Sequence, residues 1–94
     1  QIKTGNYTAA DGDNLFVDTS GGAVTITLPA SPSIGNQVKL IDAEGTFGTN
    51  NLTVGRNSQK IQGSAADLTV STNGAGIALV YVNADNGWRL KYND

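Results

Sequence analysis

The sequence predicts an all-β protein, a compact antiparallel β-sandwich or barrel-like domain of about seven to nine short strands. Three observations lead to this prediction. The chain contains 12 glycines and is rich in Thr, Val and Asn, which are typical of strands and turns. Apolar and polar residues alternate in several short segments. No segment carries apolar residues at helical spacing over three turns.

The clearest strand is segment 23–29, AVTITLP. Val24, Ile26 and Leu28 share one face, while the threonines between them take the other, as in a strand with one buried face. The preceding segment 14–19, NLFVDT, places Leu15 and Val17 on its inner face. Because the connection TSGG, residues 19–22, has the length of a hairpin loop, we predict an antiparallel hairpin.

Further strands follow at regular spacing. In Gln37–Asp42 the pattern places Val38 and Leu40 inward, with Lys39 and Ile41 outward. Segments 51–56 and 67–72 share polar-Leu-Thr-Val, which is too short to define a repeat. Between them we expect one short strand around Ile61, the only large apolar residue there.

The strongest hairpin prediction concerns the C-terminal part of the chain. Gly76–Asn83 is apolar on both faces, so we expect a central strand that is covered on both sides. Asn86-Gly87 is a strong tight-turn pair, and segment 88–92, WRLKY, alternates again. A strand apolar on both faces in so small a domain also favours a partner chain that covers part of the surface.

Size and residue content limit the possible functions. The 94 residues form one domain, 1–94, and the start at Gln1 rather than Met suggests a piece of a longer protein. The chain lacks Cys and His, which excludes disulfides, thiolate metal sites and the commonest general base. We predict no cofactor.

The charge distribution and the length of the apolar runs argue against two classes of partner. The net charge is −2, and the six basic residues are scattered rather than clustered, so we predict no nucleic-acid binding. The longest apolar run, 76–82, is too short to span a bilayer, and we predict no membrane insertion.

Acidic residues around Gly12 raise the question of a calcium loop. Asp11 and Asp13 alternate as EF-hand ligands do, but the sixth-position glycine and the distal glutamate of that motif are missing. A looser metal site of Asp11, Asp13 and Asp18 stays open as an alternative. The favoured interpretation is a turn whose side chains bond back to the backbone.

The remaining candidates are catalytic carboxylates and exposed aromatics. All eight carboxylates fall in turns or at strand ends, where they are expected to be solvated, so we predict no catalytic residue and no enzyme. Trp88, Tyr92 and Phe47 are candidates for a ligand platform or a subunit interface. For Trp88 the core or a subunit interface is favoured over a ligand platform. Exposure is favoured for Tyr92, and a plug over the core for Phe47.

An ordered series of motifs resembles a known family. The series is Y-T at 7–8, G-D at 12–13, DTSGGAVTITLPASP at 18–32, GNQVKLID at 35–42, NLTVGRN at 51–57, I-Q-G at 61–63 and W-R-L at 88–90. It is similar to a β-rich domain of bacteriophage tail fibre, tailspike and other virion appendage proteins. The likeness runs from about Asn6 to Leu90, although relatives often carry Gly at the position of Ser58.

The resemblance implies a structural or receptor-binding (adhesin) module of a phage tail fibre. It implies a homotrimer that is mounted on the virion beside other virion proteins and exposed to the host. The receptor does not carry over from the resemblance, and contact with a host surface glycan is our additional hypothesis. It carries over no catalytic residue. Two alternatives remain: a capsid decoration or head-fibre domain, and a carbohydrate-binding module appended to an enzyme.

Overall fold

The computed structural model describes residues 1–93, with the side chains of residues 1–91. This part of the chain is all-β and contains no helix, so the all-β part of the fold prediction is confirmed. Nine short strands lie within it, in the predicted number. They are β1 (Ile2–Lys3), β2 (Tyr7–Thr8), β3 (Asn14–Val17), β4 (Val24–Thr27), β5 (Gln37–Asp42), β6 (Leu52–Gly55), β7 (Leu68–Val70), β8 (Gly76–Asn83) and β9 (Gly87–Asn93).

The strands form two mixed sheets. The five-stranded sheet has the order β1-β3-β5-β8-β9, and the four-stranded sheet has the order β2-β4-β6-β7. From β1 to β6 the chain therefore passes from one sheet to the other at every connection. Strands of the same sheet in this part run parallel: β1 with β3, β3 with β5, β2 with β4 and β4 with β6.

Each antiparallel ladder includes at least one of the last three strands. Strand β7 pairs antiparallel with β6, β8 with β5, and β9 with β8. The β8–β9 hairpin is confirmed, with Tyr81 opposite Trp88 and Asn83 opposite Gly87. The fully antiparallel arrangement predicted from the sequence is thus wrong. The barrel alternative is also wrong, because each sheet retains two edge strands.

The hairpin predicted between segments 14–19 and 23–29 is wrong for a local reason. The TSGG segment is a corner that carries the chain from β3 in one sheet to β4 in the other. Thr19 is fully buried there. Its Oγ1 lies 2.7 Å from the Thr46 Oγ1, and its carbonyl accepts a hydrogen bond of 2.9 Å from the side-chain Nδ2 of Asn50. These contacts fix the corner against a later part of the chain.

One hydrophobic cluster includes buried side chains of both sheets. The inward residues predicted from period-two patterning are buried as expected: Leu15, Val17, Val24, Ile26, Leu28, Val38 and Leu40. Burial of each such side chain contributes about 1.5–3 kcal/mol. Strand β8 is central, lying between β5 and β9, and its Ala78 and Leu79 are both fully buried.

Ile61 is buried as well, although it does not belong to a strand of its own. It forms isolated bridges to Ser64 and Trp88. Within residues 1–93 no helix is long and apolar enough to cross a membrane.

Candidate functional site

The segment around Gly12 forms a tight turn, as favoured from the sequence. The Ala10 amide donates to the Asp13 Oδ2 at 2.8 Å, and the Asp13 amide donates to the Ala10 carbonyl at 3.1 Å. Gly12 has a φ of 85°, a conformation that a residue with a Cβ rarely adopts. The Asp11 Oδ1 accepts a hydrogen bond of 2.8 Å from the Gln37 amide. The two carboxylates therefore fasten the turn to itself and to β5.

The Asp18 carboxylate likewise accepts hydrogen bonds from nearby groups, at the end of β3. Its Oδ1 accepts hydrogen bonds from the Ser20 hydroxyl at 2.6 Å and from the Ser20 amide at 2.8 Å. The hydroxyl and then the amide of Ser20 hold the pKa of Asp18 below its ordinary value. Among the described residues no three acidic side chains group as metal ligands, so Asp11, Asp13 and Asp18 are not brought together as a triad.

A shallow polar cleft of about 170 Å³ opens beside this turn. It is lined by Gly12, Asp13, Asn14, Gln37 and Lys39. Strands β3 and β5 position it, because Asn14 and Lys39 lie opposite each other in the parallel ladder. The lining can offer amide donors and acceptors and one ammonium group to a polar ligand.

Asp42 departs from the prediction that all carboxylates are solvated. It is only 7% exposed. Its Oδ1 accepts from the Thr46 amide at 3.1 Å, and its Oδ2 accepts from the amides of Phe47 at 3.0 Å and Gly74 at 2.9 Å. Burial raises the pKa of this carboxyl, but the amides of Gly74, Phe47, Thr46 and Gly45 together outweigh burial and leave the pKa lowered.

The sequence contained a signal for this buried carboxylate. Asp42 has the same parity as the inward residues Val38 and Leu40 within β5, so strict alternation already points it toward the interior. An aspartate at an inward position needs hydrogen-bond donors. Here backbone amides of two separate loops supply them, and the carboxylate clamps those loops together.

The aromatic candidates are distributed as follows. Trp88 is fully buried and meets Tyr81 edge-on, with 5.5 Å between ring centroids and 64° between planes. Phe47 is 1% exposed. Neither ring presents a face to a ligand in this chain. Tyr92 pairs with Ala78 in the β8–β9 ladder, but its side chain lies outside the described part of the structure.

The two polar groups of this aromatic pair differ in their hydrogen bonding. The Tyr81 hydroxyl donates to the Gln59 Oε1 at 2.9 Å. The Trp88 indole N–H is buried and has no acceptor within the described residues. An unsatisfied buried donor costs about 1–3 kcal/mol, so the burial of the large Trp88 ring has to outweigh this penalty.

No protein-family model matches the chain, and no curated protein matches it significantly.

Proposed function

We propose that this chain is a structural or receptor-binding module of a phage tail fibre, non-catalytic, homotrimeric and mounted on the virion. The ordered motifs that resemble virion appendage domains support this proposal, and so does the all-β fold. The single observation that carries it is that the acidic side chains form hydrogen bonds with the backbone. Asp11, Asp13, Asp18 and Asp42 each accept hydrogen bonds from backbone amides.

Carboxylates that bond to the backbone favour a structural role over a catalytic site. A general acid at neutral pH needs a carboxyl with a raised pKa. The pKa values of Asp18 and Asp42 are both lowered. Both carboxylates accept hydrogen bonds from backbone amides. This supports a module that holds its surface in a fixed shape.

The mass of the assembly tests the fibre proposal. Light scattering after size exclusion, or native mass spectrometry, is expected to give three times the 9.7 kDa chain mass. Trimer formation multiplies weak contacts with a host surface through avidity. A monodisperse monomer at high protein concentration contradicts the proposal.

The polar cleft supports the receptor-binding version of this function. A host glycan offers hydroxyl groups that pair with amide side chains such as those of Asn14 and Gln37. We expect binding on a glycan array that is lost in the double variant Asn14→Ala/Gln37→Ala. The control is Asn51→Ala, which removes an exposed amide outside the cleft. Binding that survives the double variant excludes the cleft as the contact.

We further propose that the two sheets pack face to face as a sandwich. Their inward side chains belong to one cluster, and packed sheets lie about 10 Å apart. Methyl–methyl nuclear Overhauser effects between Leu40 and residues of the other sheet, such as Ile26 or Val54, are expected. Their absence across the whole cluster contradicts this arrangement.

A further inference from the structure

An apolar row crosses the outer face of the five-stranded sheet. Ile2 on β1 lies opposite Phe16 on β3, and Phe16 lies opposite Ile41 on β5. Their side chains are 68%, 46% and 43% exposed. Neighbouring strands are about 4.8 Å apart, so these three side chains form a continuous strip, here called the outer row.

The outer row concentrates the exposed apolar surface of the molecule. Among the described residues four large apolar side chains are exposed, and three of them belong to the row. The fourth, Ile34, lies in the loop between β4 and β5. The row ends at Gly76, which pairs with Ile41 and leaves the next position without a side chain. A contiguous apolar strip of this kind marks an interaction surface.

Opposite charges flank the outer row on its two sides. Lys39 precedes Ile41 by two residues on β5, so it lies on the same face at the side where the strands begin. Asp18 follows Phe16 by two residues, at the side where the strands end. Lys39 is exposed and Asp18 is half-buried. Lys39 therefore places a positive charge on one side of the row, next to Asp13 in the polar cleft, and Asp18 places a negative charge on the other side.

The pairing of Lys39 with Asp18 fits another copy of the same chain as the occupant. Strands β1, β3 and β5 are parallel, so all of them begin on one side of the row. In a ring of copies whose rotation axis runs along the row, the Lys39 side of each copy meets the Asp18 side of the next. The three apolar side chains then face the axis, where they are removed from water.

We propose that the outer row is the surface through which copies of this chain assemble, with the symmetry axis along Ile2, Phe16 and Ile41. The number of three copies rests on the proposed fibre function, whereas the surface itself rests on the row and its flanking charges.

The first experiment compares Phe16→Ser/Ile41→Ser with Ile34→Ser in the full 94-residue chain. The control residue is 80% exposed and lies outside the row. Sedimentation equilibrium is expected to show a dissociation constant raised at least about tenfold in the row variant, with the control unchanged. Circular dichroism checks that both variants remain folded. An unchanged dissociation constant in the folded row variant overturns the proposal.

The second experiment tests the flanking charges. Lys39→Asp places like charges together at each contact and is expected to weaken assembly. The combination Lys39→Asp/Asp18→Lys restores opposite charges and is expected to recover assembly. Thermal unfolding is followed in parallel because Asp18 also bonds to Ser20. A folded double variant that assembles no better than Lys39→Asp contradicts the charge pairing.

The outcomes separate this inference from the proposed function. A trimer that row variants leave intact overturns the inference alone. A dimer that row variants dissociate supports the surface and overturns the threefold part of the proposed function. A wild-type monomer at high concentration overturns both.

Discussion

The first six strands and the last three differ in the direction of their pairing and in how they are connected. From β1 to β6 the chain alternates between sheets, and each strand pairs in parallel with one that lies two elements away. From β7 to β9 the pairing is antiparallel, and β8 and β9 are joined by a tight turn. The comparison shows that strand-forming patterns alone do not specify partners. The turns and corners between the strands decide which strands pair.

We expect the strongest destabilisation from a substitution at Gly87, in the turn between β8 and β9. Gly87 has a φ of 69°, and a Cβ there would overlap the Lys60 carbonyl, which accepts a hydrogen bond of 2.8 Å from the Trp88 amide. Gly87→Ala combines backbone strain with a steric clash and should lower the free energy of unfolding by about 3 kcal/mol or more. Urea denaturation followed by circular dichroism measures this change.

Gly74→Ala is the matched control for that prediction. Gly74 also has a positive φ, of 77°, but a Cβ there meets no atom within 4 Å. We expect a loss of about 1 kcal/mol from strain alone. Equal losses in the two variants would contradict the role assigned to the Lys60 carbonyl.

An intermediate effect concerns the carboxylate clamp of the parallel part. Asp42→Asn removes the charge that hydrogen bonds from backbone amides stabilise, and we expect a loss of about 2 kcal/mol in the free energy of unfolding. Asp67→Asn is the control, since the Oδ1 of Asp67 accepts one exposed hydrogen bond, from the Arg56 amide. A smaller loss for Asp42 than for Asp67 would contradict the clamp.

The clamp also predicts how stability depends on pH. Because the folded pKa of Asp42 is lowered, its contribution is fully present above the unfolded pKa of about 3.9. It is lost as the pH falls from there through the lowered folded pKa. Chemical denaturation between neutral pH and pH 3 should show a smaller decrease for Asp42→Asn than for the wild type.

We expect a weaker destabilisation from substitutions at the corner around Thr19. Thr19→Val removes one partner of the 2.7 Å contact with Thr46 and leaves the other hydroxyl without it, at a cost of about 1 kcal/mol. Thr19→Val/Thr46→Val removes both hydroxyls and should cost less than the sum of the two single variants. Strict additivity in this double-mutant cycle would show that the hydroxyl contact does not stabilise the corner.

The sequence predicted the parts of the fold that short-range chemistry determines. Period-two alternation identified the inward residues of β3, β4 and β5, and Asn86-Gly87 identified the β8–β9 hairpin. The parallel ladders escaped prediction because pairs such as Phe16 with Ile41 are joined by no turn signal. The two-residue strands β1 and β2 are too short to show alternation.

The candidate site was predictable to a similar extent. Carboxylates that bond to the backbone were expected around Gly12, and the hydrogen bonds of Asp11 and Asp13 match that expectation. The burial of Asp42 was missed, because its donors come from Thr46, Phe47 and Gly74, which only tertiary structure brings together. The outer row was missed for the same reason, since it needs the parallel register.

Long-range parallel pairing has a consequence for folding kinetics. Loop closure is entropically costly before distant strands can pair, whereas the β8–β9 hairpin closes through a few residues. We expect this hairpin to nucleate folding, with β1 and β2 docking last and detaching first. Folding φ-values near one at Leu79 and near zero at Tyr7 are the signature of that order, and the reverse pattern would contradict it.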